Sequence, residues 1–188
     1  VHSGLQEGMV SVSQYRLAIH LGMAFLILGI LFWLFRGQIE RPRSSMSFTG
    51  KSSLYTPLAA LMVGLVYLQV LAGAFVAGTQ SGKTYNSWPL MDGEFVPDGY
   101  GMMSPFWRNI FENTAAIQFN HRTIAYILLA TLLCLWVSAI RQKARIGALI
   151  AFTGLLIWQI FLGVWTLLSV APLNLSLLHQ FSSVLVFL

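Results

Sequence analysis

Three of the chain's four histidines stand where a solvated imidazole is hard to accommodate. His20, His121 and His179 each fall near one end of a long apolar run, whereas His2 lies in a polar N-terminal stretch and reads as solvated. An ionisable group inside such a run is costly and usually functional. A neutral imidazole is a good axial ligand for haem iron. Because a porphyrin is a flat plate, a helix offering that ligand needs a small residue one turn on, at i+4 of the same face. Ala24, Ala125 and Ser183 occupy those positions. A zinc site would want a closed ligand set with cysteine or carboxylate. No carboxylate occurs in the apolar runs, and the single cysteine, Cys134, reads as a small buried apolar residue in mid-run. Arg122 follows His121, and Arg16 precedes His20 by one helical turn. Either guanidinium suits a haem propionate at the water boundary or a snorkelling interfacial anchor, and both readings stay open.

The elements that must carry these residues are membrane spans. The chain is 56% apolar and 9% charged, too little polar surface to cover a soluble domain. Runs at 17–35, 57–78, 123–140 and 146–168 match the roughly 20 residues that cross a bilayer. A fifth run, 173–188, reaches the last residue. The fold class is therefore all-α, a polytopic transmembrane bundle of four complete spans plus a truncated fifth. The first run lacks the basic front and cleavage site of a signal peptide. A chain that starts at Val1 and stops at Leu188 within an apolar run reads as a fragment.

The net charge of +5 reflects connector position, not nucleic-acid binding. The connector 36–56 holds Arg36, Arg41, Arg43 and Lys51 against Glu40, and 141–145 holds Arg141, Lys143 and Arg145. The connector 79–118 collects Asp92, Glu94, Asp98 and Glu112 against Lys83 and Arg108. Basic connectors belong on the cytoplasmic or matrix side. The resulting topology alternates without contradiction and puts His20, His121 and His179 at one depth near the outer surface.

Residues 36–56 read as a flexible inner linker between two units: 1–35, ending in the span 17–35, and 57–188. Within the second unit Gln69–Gly73 (QVLAG) is echoed by Gln159–Gly163 (QIFLG), each on a span running outward and each followed by a helix with an outer histidine. Two such hairpins fit a parallel repeat about the membrane normal, which would bring His121 and His179 face to face. Gln69 and Gln159 read as hydrogen bonds between helices. The outer loop 79–118, long and rich in Gly, Trp, Tyr, Met and Pro, reads as a folded cap.

The segments QVLAGAFVAG at 69–78, KTYNSWPLMDGEFVP at 83–97, IQFNHR at 117–122 and LLHQ at 177–180 together resemble the haem A synthases of mitochondria and alphaproteobacteria. SGL at 3–5 and SQYRLAIHL at 13–21 resemble the end of that family's N-terminal half, so the likeness covers essentially the whole chain. The resemblance implies an eight-helix protein of two four-helix halves, each with a histidine pair on the outer side. It implies that His121 and His179 ligate a permanent haem b, and that His20 faces substrate haem O. The implied reaction is oxidation of a haem O methyl to the formyl of haem A for terminal oxidases. The implied setting is a bacterial or mitochondrial inner membrane, with a ferredoxin-like protein or a quinol as electron donor. Haem O synthase and oxidase assembly factors are the implied partners, and a homo-oligomer is compatible. The first three spans of the family pattern, which carry a second substrate-side histidine and a catalytic acid, have no counterpart here, so these 188 residues alone are expected to be inactive. The lone Cys134 also departs from members with an outer cysteine pair.

Two other readings use the same histidines. A non-catalytic cytochrome b subunit would need the same bis-histidine bundle to pass electrons. A membrane scaffold or haem carrier would use the imidazoles transiently or only to bridge helices.

Overall fold

The computed structural model describes residues 12–39 and 54–188, all of it helix, turn or loop apart from one isolated β-bridge between Met91 and Glu94. His2, the segment 3–5 and the linker charges Glu40, Arg41, Arg43 and Lys51 lie outside the described residues.

Among the described residues four helices are long and apolar enough to cross a membrane: α1 (Gln14–Ile39), α2 (Tyr55–Gly78), α4 (Thr114–Arg141) and α5 (Gly147–Leu168). The short α3 (Arg108–Glu112) lies in the outer loop, and α6 (Leu173–Phe187) is a shorter apolar helix of 15 residues. Helices are what an apolar chain must form in lipid, where unpaired backbone groups find no water.

The third span begins at Thr114, nine residues before the apolar run at 123. Asn113 causes the difference: its side chain accepts hydrogen bonds from the backbone N–H of Ala115 and Ala116 and so caps the helix. The outer loop accordingly ends at 113 rather than 118. His121 becomes the eighth residue of α4, while His20 and His179 are each the seventh residue of their helices.

The helices pair as α1 on α2, α2 on α4 and α5 on α6, with α6 also meeting α1 and α2, and α4 meeting α5. The apolar core joins Met62 and Val66 of α2, Leu128, Leu132, Leu135 and Ala139 of α4, Leu149 and Leu156 of α5, and Val186 of α6. All of these occupy the inner half of the bundle. The other half buries Val70, Ala74, Ala116, Ile117 and Leu162 together with polar residues and glycine. Cys134 is exposed with Leu133 and Val137, not buried as the sequence suggested, because it falls outside the buried stripe of α4 that runs through Leu128, Leu132 and Leu135.

Candidate functional site

The outer half of the bundle is where the repeat becomes geometry. Gly73 faces the ring of His121: a Cβ there would stand 3.3 Å from Cε1. Gly163 faces the ring of His179, with the corresponding distance 3.0 Å. Each outward-running helix thus offers a glycine as the floor for the imidazole of the helix that follows it. The paired glutamines sit one turn inward. Gln69 Nε2 lies 3.3 Å from His121 Nε2. Gln159 Nε2 donates to the backbone carbonyl of His179 at 2.9 Å, and its Oε1 accepts from Ser182 Oγ. Both glutamines bridge helices, as polar side chains within spans do.

The imidazoles of His121 and His179 are both part-buried. Each keeps its Nδ1 buried with no protein partner. Among the described residues, the other buried side-chain atoms without partners are Gln69 Oε1, Gln118 Oε1, Arg122 Nε and Thr166 Oγ1. All six lie in the outer half. Native interiors leave few such groups, and those that exist point to a water, an ion or a bound group.

The roof over this half is the outer loop. Arg122 donates from Nη1 to the carbonyls of Ser87 at 3.0 Å and Leu90 at 3.3 Å, and from Nη2 to that of Tyr85 at 3.0 Å. Gln118 also donates to the Tyr85 carbonyl, at 3.0 Å. Asn86 donates to Leu167 O at the end of α5 and to Gly82 O, both at 2.8 Å. Asn113 donates to Gly99 O at 2.6 Å and Asn109 Oδ1 at 2.9 Å, and Asn109 in turn holds Met103 and Phe106. The cap is a hydrogen-bonded lid that spans both hairpins. Three hydrogen bonds from the two terminal nitrogens tie Arg122 to this lid, and its buried Nε–H remains for another acceptor.

His20 is not part of this cluster. It is exposed on the face of α1 turned away from α2, as is Ala24 one turn along, while Ala18, Gly22 and Phe25 form the buried face. Arg16 is exposed as well. The outer end of α1 is tied down by Tyr15, whose hydroxyl donates to Glu112 Oε1 at 2.9 Å and whose ring packs on Phe75 and Phe111. Arg108 pairs with the same carboxylate, with Nε 2.8 Å and Nη2 2.5 Å from Oε2. These hydrogen bonds, Arg108's first and then Tyr15's, hold the Glu112 carboxyl below its usual range.

The small residues at i+4 have different surroundings. Ala125 is half-buried, and Ser183 turns its hydroxyl back to Gln180 O at 2.6 Å. The glycine floors lie on the partner helices and were visible in the sequence only as the repeat.

No group of three or more His, Cys, Asp or Glu side chains is arranged for a metal ion among the described residues. Two part-buried imidazoles, each beside a glycine of another helix, each with Nδ1 unpartnered and with no carboxylate near them, have the chemistry of haem ligands rather than of a bare-ion site.

A model of the cytochrome oxidase assembly protein family COX15-CtaA matches residues 1–188. Among curated relatives named Heme A synthase, that of Dinoroseobacter shibae is 41% identical over 98% of this chain and 49% of its own length. That of Ruegeria pomeroyi is 42% identical over 96% and 48%, and that of Paracoccus denitrificans 39% over 100% and 50%. The chain spans about half the length of the curated relatives it matches. No solved structure matches it.

Proposed function

Because the chain belongs to the COX15-CtaA family of cytochrome oxidase assembly proteins, we propose that it serves haem A synthesis in a bacterial or mitochondrial inner membrane, as part of the oxidoreductase that converts the methyl group of haem O to a formyl. In this reading His121 and His179 are the axial ligands of a haem b, and His20 faces substrate haem O. The observation that supports it is the collection, among the described residues, of the buried unpartnered side-chain atoms at one end of the bundle, two of them imidazole nitrogens.

Haem b, when bound there, supplies one-electron transfer. The chain's own residues do the rest. Gly73 and Gly163 let the Cε1 corner of each imidazole approach the neighbouring helix closely. The lid held by Arg122, Gln118 and Asn86 keeps water from the outer end, and Arg122 Nε–H is left to meet a carboxylate such as a propionate. The exposed face of α1 presents His20 and Ala24 to whatever covers it, here assigned to haem O. A ferredoxin-like protein or a quinol would provide electrons.

The test is a dithionite-reduced spectrum of the full-length protein, with extraction and chromatography of its haems, in the wild type and in His121→Ala, His179→Ala and His20→Ala. Loss of haem b in the first two, with haem b kept but haem A lost in the third, is the expected result. Equal loss in all three would overturn the division of roles. Haem b with neither haem O nor haem A would favour the electron-transfer cytochrome.

A further inference from the structure

The face of α4 turned away from the histidines carries a recess of its own. Phe119, Arg122, Thr123 and Tyr126 recur at i, i+3, i+4 and i+7 and so form one stripe of the helix. With Pro89, Met91 and Phe95 of the lid they line a small recess, in which Phe95 meets Phe119 edge-on, ring centroids 6.3 Å apart. His121 is two residues from both Phe119 and Thr123 and therefore lies on the opposite face, against Gly73. Beyond Tyr126 the stripe continues through Ala130, Leu133, Val137 and Ile140, all exposed. The recess is thus the upper end of an apolar track that a bilayer would cover, at the level where helix meets lid.

The charges around it lack partners. Arg122 gives its terminal nitrogens to three neutral carbonyls, which occupy at most three of its four terminal N–H groups. Among the described residues its guanidinium, Asp92 and Glu94 are in no ion pair. A part-buried charge without a counter-ion is costly. The turn Asp92–Gly93–Glu94 joins the lining residues Met91 and Phe95. It is pinned by backbone bonds of 2.8 and 3.2 Å between Met91 and Glu94, and by Ser87 Oγ, which accepts from Asp92 N at 2.8 Å and donates to Asp92 Oδ1 at 3.3 Å. Ser87's own carbonyl accepts from Arg122. A guanidinium therefore borders the recess on the helix side, and two carboxylates stand on the lid turn above it.

We propose that this recess seats the headgroup of a phospholipid that carries both a phosphate and a primary ammonium, such as phosphatidylethanolamine. The phosphate meets a terminal N–H of Arg122, the ammonium meets Asp92 and Glu94, and an acyl chain lies along Tyr126, Leu133 and Val137. The charges select this class. A purely anionic headgroup brings a like charge to the two carboxylates, and a free phosphate makes no use of the apolar track. The lipid ties lid to helix from the bilayer side. It is independent of haem, because it uses the face opposite His121 and leaves the Nε–H of Arg122 free.

The experiment is native mass spectrometry of the full-length protein, equilibrated with vesicles of equal phosphatidylethanolamine and phosphatidylglycerol bearing the same acyl chains. Wild type is compared with the double variant Asp92→Asn/Glu94→Gln and with Thr123→Phe. Wild type should retain phosphatidylethanolamine several-fold over phosphatidylglycerol. The double variant should lose that preference, because the phosphate keeps its partner and the ammonium does not. Thr123→Phe, which fills the recess, should retain less of both, and excess inorganic phosphate should displace neither. If Thr123→Phe does not fold, the double variant decides. Equal retention of the two lipids by wild type, an unchanged preference in the double variant, or displacement by inorganic phosphate would overturn the proposal.

Discussion

A glycine opposite an imidazole acts through what it leaves out. At Gly163 an added methyl would stand 3.0 Å from His179 Cε1, and at Gly73 3.3 Å from His121 Cε1. Contacts under about 3.4 Å force the neighbour to give way, and crowding of this kind costs about 1–3 kcal/mol. Gly163→Ala should therefore lower the haem b retained per full-length protein more than Gly73→Ala, both by measurable factors in a pyridine haemochrome assay. Equal retention in both variants would show that the glycines are not floors for ligands. At this scale the sequence disclosed the histidines, because an ionisable side chain in an apolar run is conspicuous. It disclosed the glycines only as a repeat, since clearance was sought on the histidine's own helix, at Ala24, Ala125 and Ser183, while the closest approach comes from the facing helix. Spacing along one helix reports one face; a partner's identity needs the pairing of α2 with α4 and of α5 with α6.

Elements depend on a small set of polar junctions near the outer surface. Asn113 caps α4, with Oδ1 3.0 Å from Ala115 N, and ties the helix start to the lid through Gly99 and Asn109. Asn113→Ala should cost about 1 kcal/mol for the cap and a further 1–3 kcal/mol or so for buried partners left unpaired. Asn113→Ser, which keeps the cap acceptor but cannot reach Gly99, should recover only the first part; the measurement is the unfolding midpoint in detergent followed by tryptophan fluorescence. The start of α4 escaped the hydropathy reading because Gln118, Asn120 and His121 dilute its first turns, and a polar helical stretch under a lid looks like loop. The junction of α1 with α3 carries a pH dependence. Arg108 and Tyr15 hold the Glu112 carboxyl below its ordinary value, so its contribution is complete above the unfolded-state value and is lost as pH falls through the depressed one. Wild type should thus unfold slightly above Glu112→Gln at neutral pH, the gap closing as the solution is acidified below about pH 4. Its size is modest, because the pair is partly exposed and screened by salt.

Across the whole bundle, the two ends do different work. The inner half holds the interlocked side chains Met62, Leu132, Leu135, Leu149, Leu156 and Val186, and the outer half holds the glycines, glutamines and histidines. Span length made the helices legible, since it follows from the cost of moving open backbone into lipid. The partition into halves was not legible, because leucine and valine occur along every span and only packing shows which are enclosed. In lipid the enclosed residues contribute through close packing rather than release of water. Leu156→Ala, at a position 3% exposed, therefore removes contacts and leaves a void worth about 2 kcal/mol by the cavity term alone. It lies on the inner half of α5, away from Gly163 and His179. The full-length Leu156→Ala protein should unfold at lower temperature yet keep the haem b spectrum and midpoint potential of the wild type in whatever fraction remains folded. Gly163→Ala should instead lower the haem b retained per folded protein, beyond the crowding cost its methyl imposes on the haem-free fold. If Leu156→Ala moved the potential as far as Gly163→Ala moved haem retention, the halves would be one cooperative unit, and the inner core would have to be counted as part of the site.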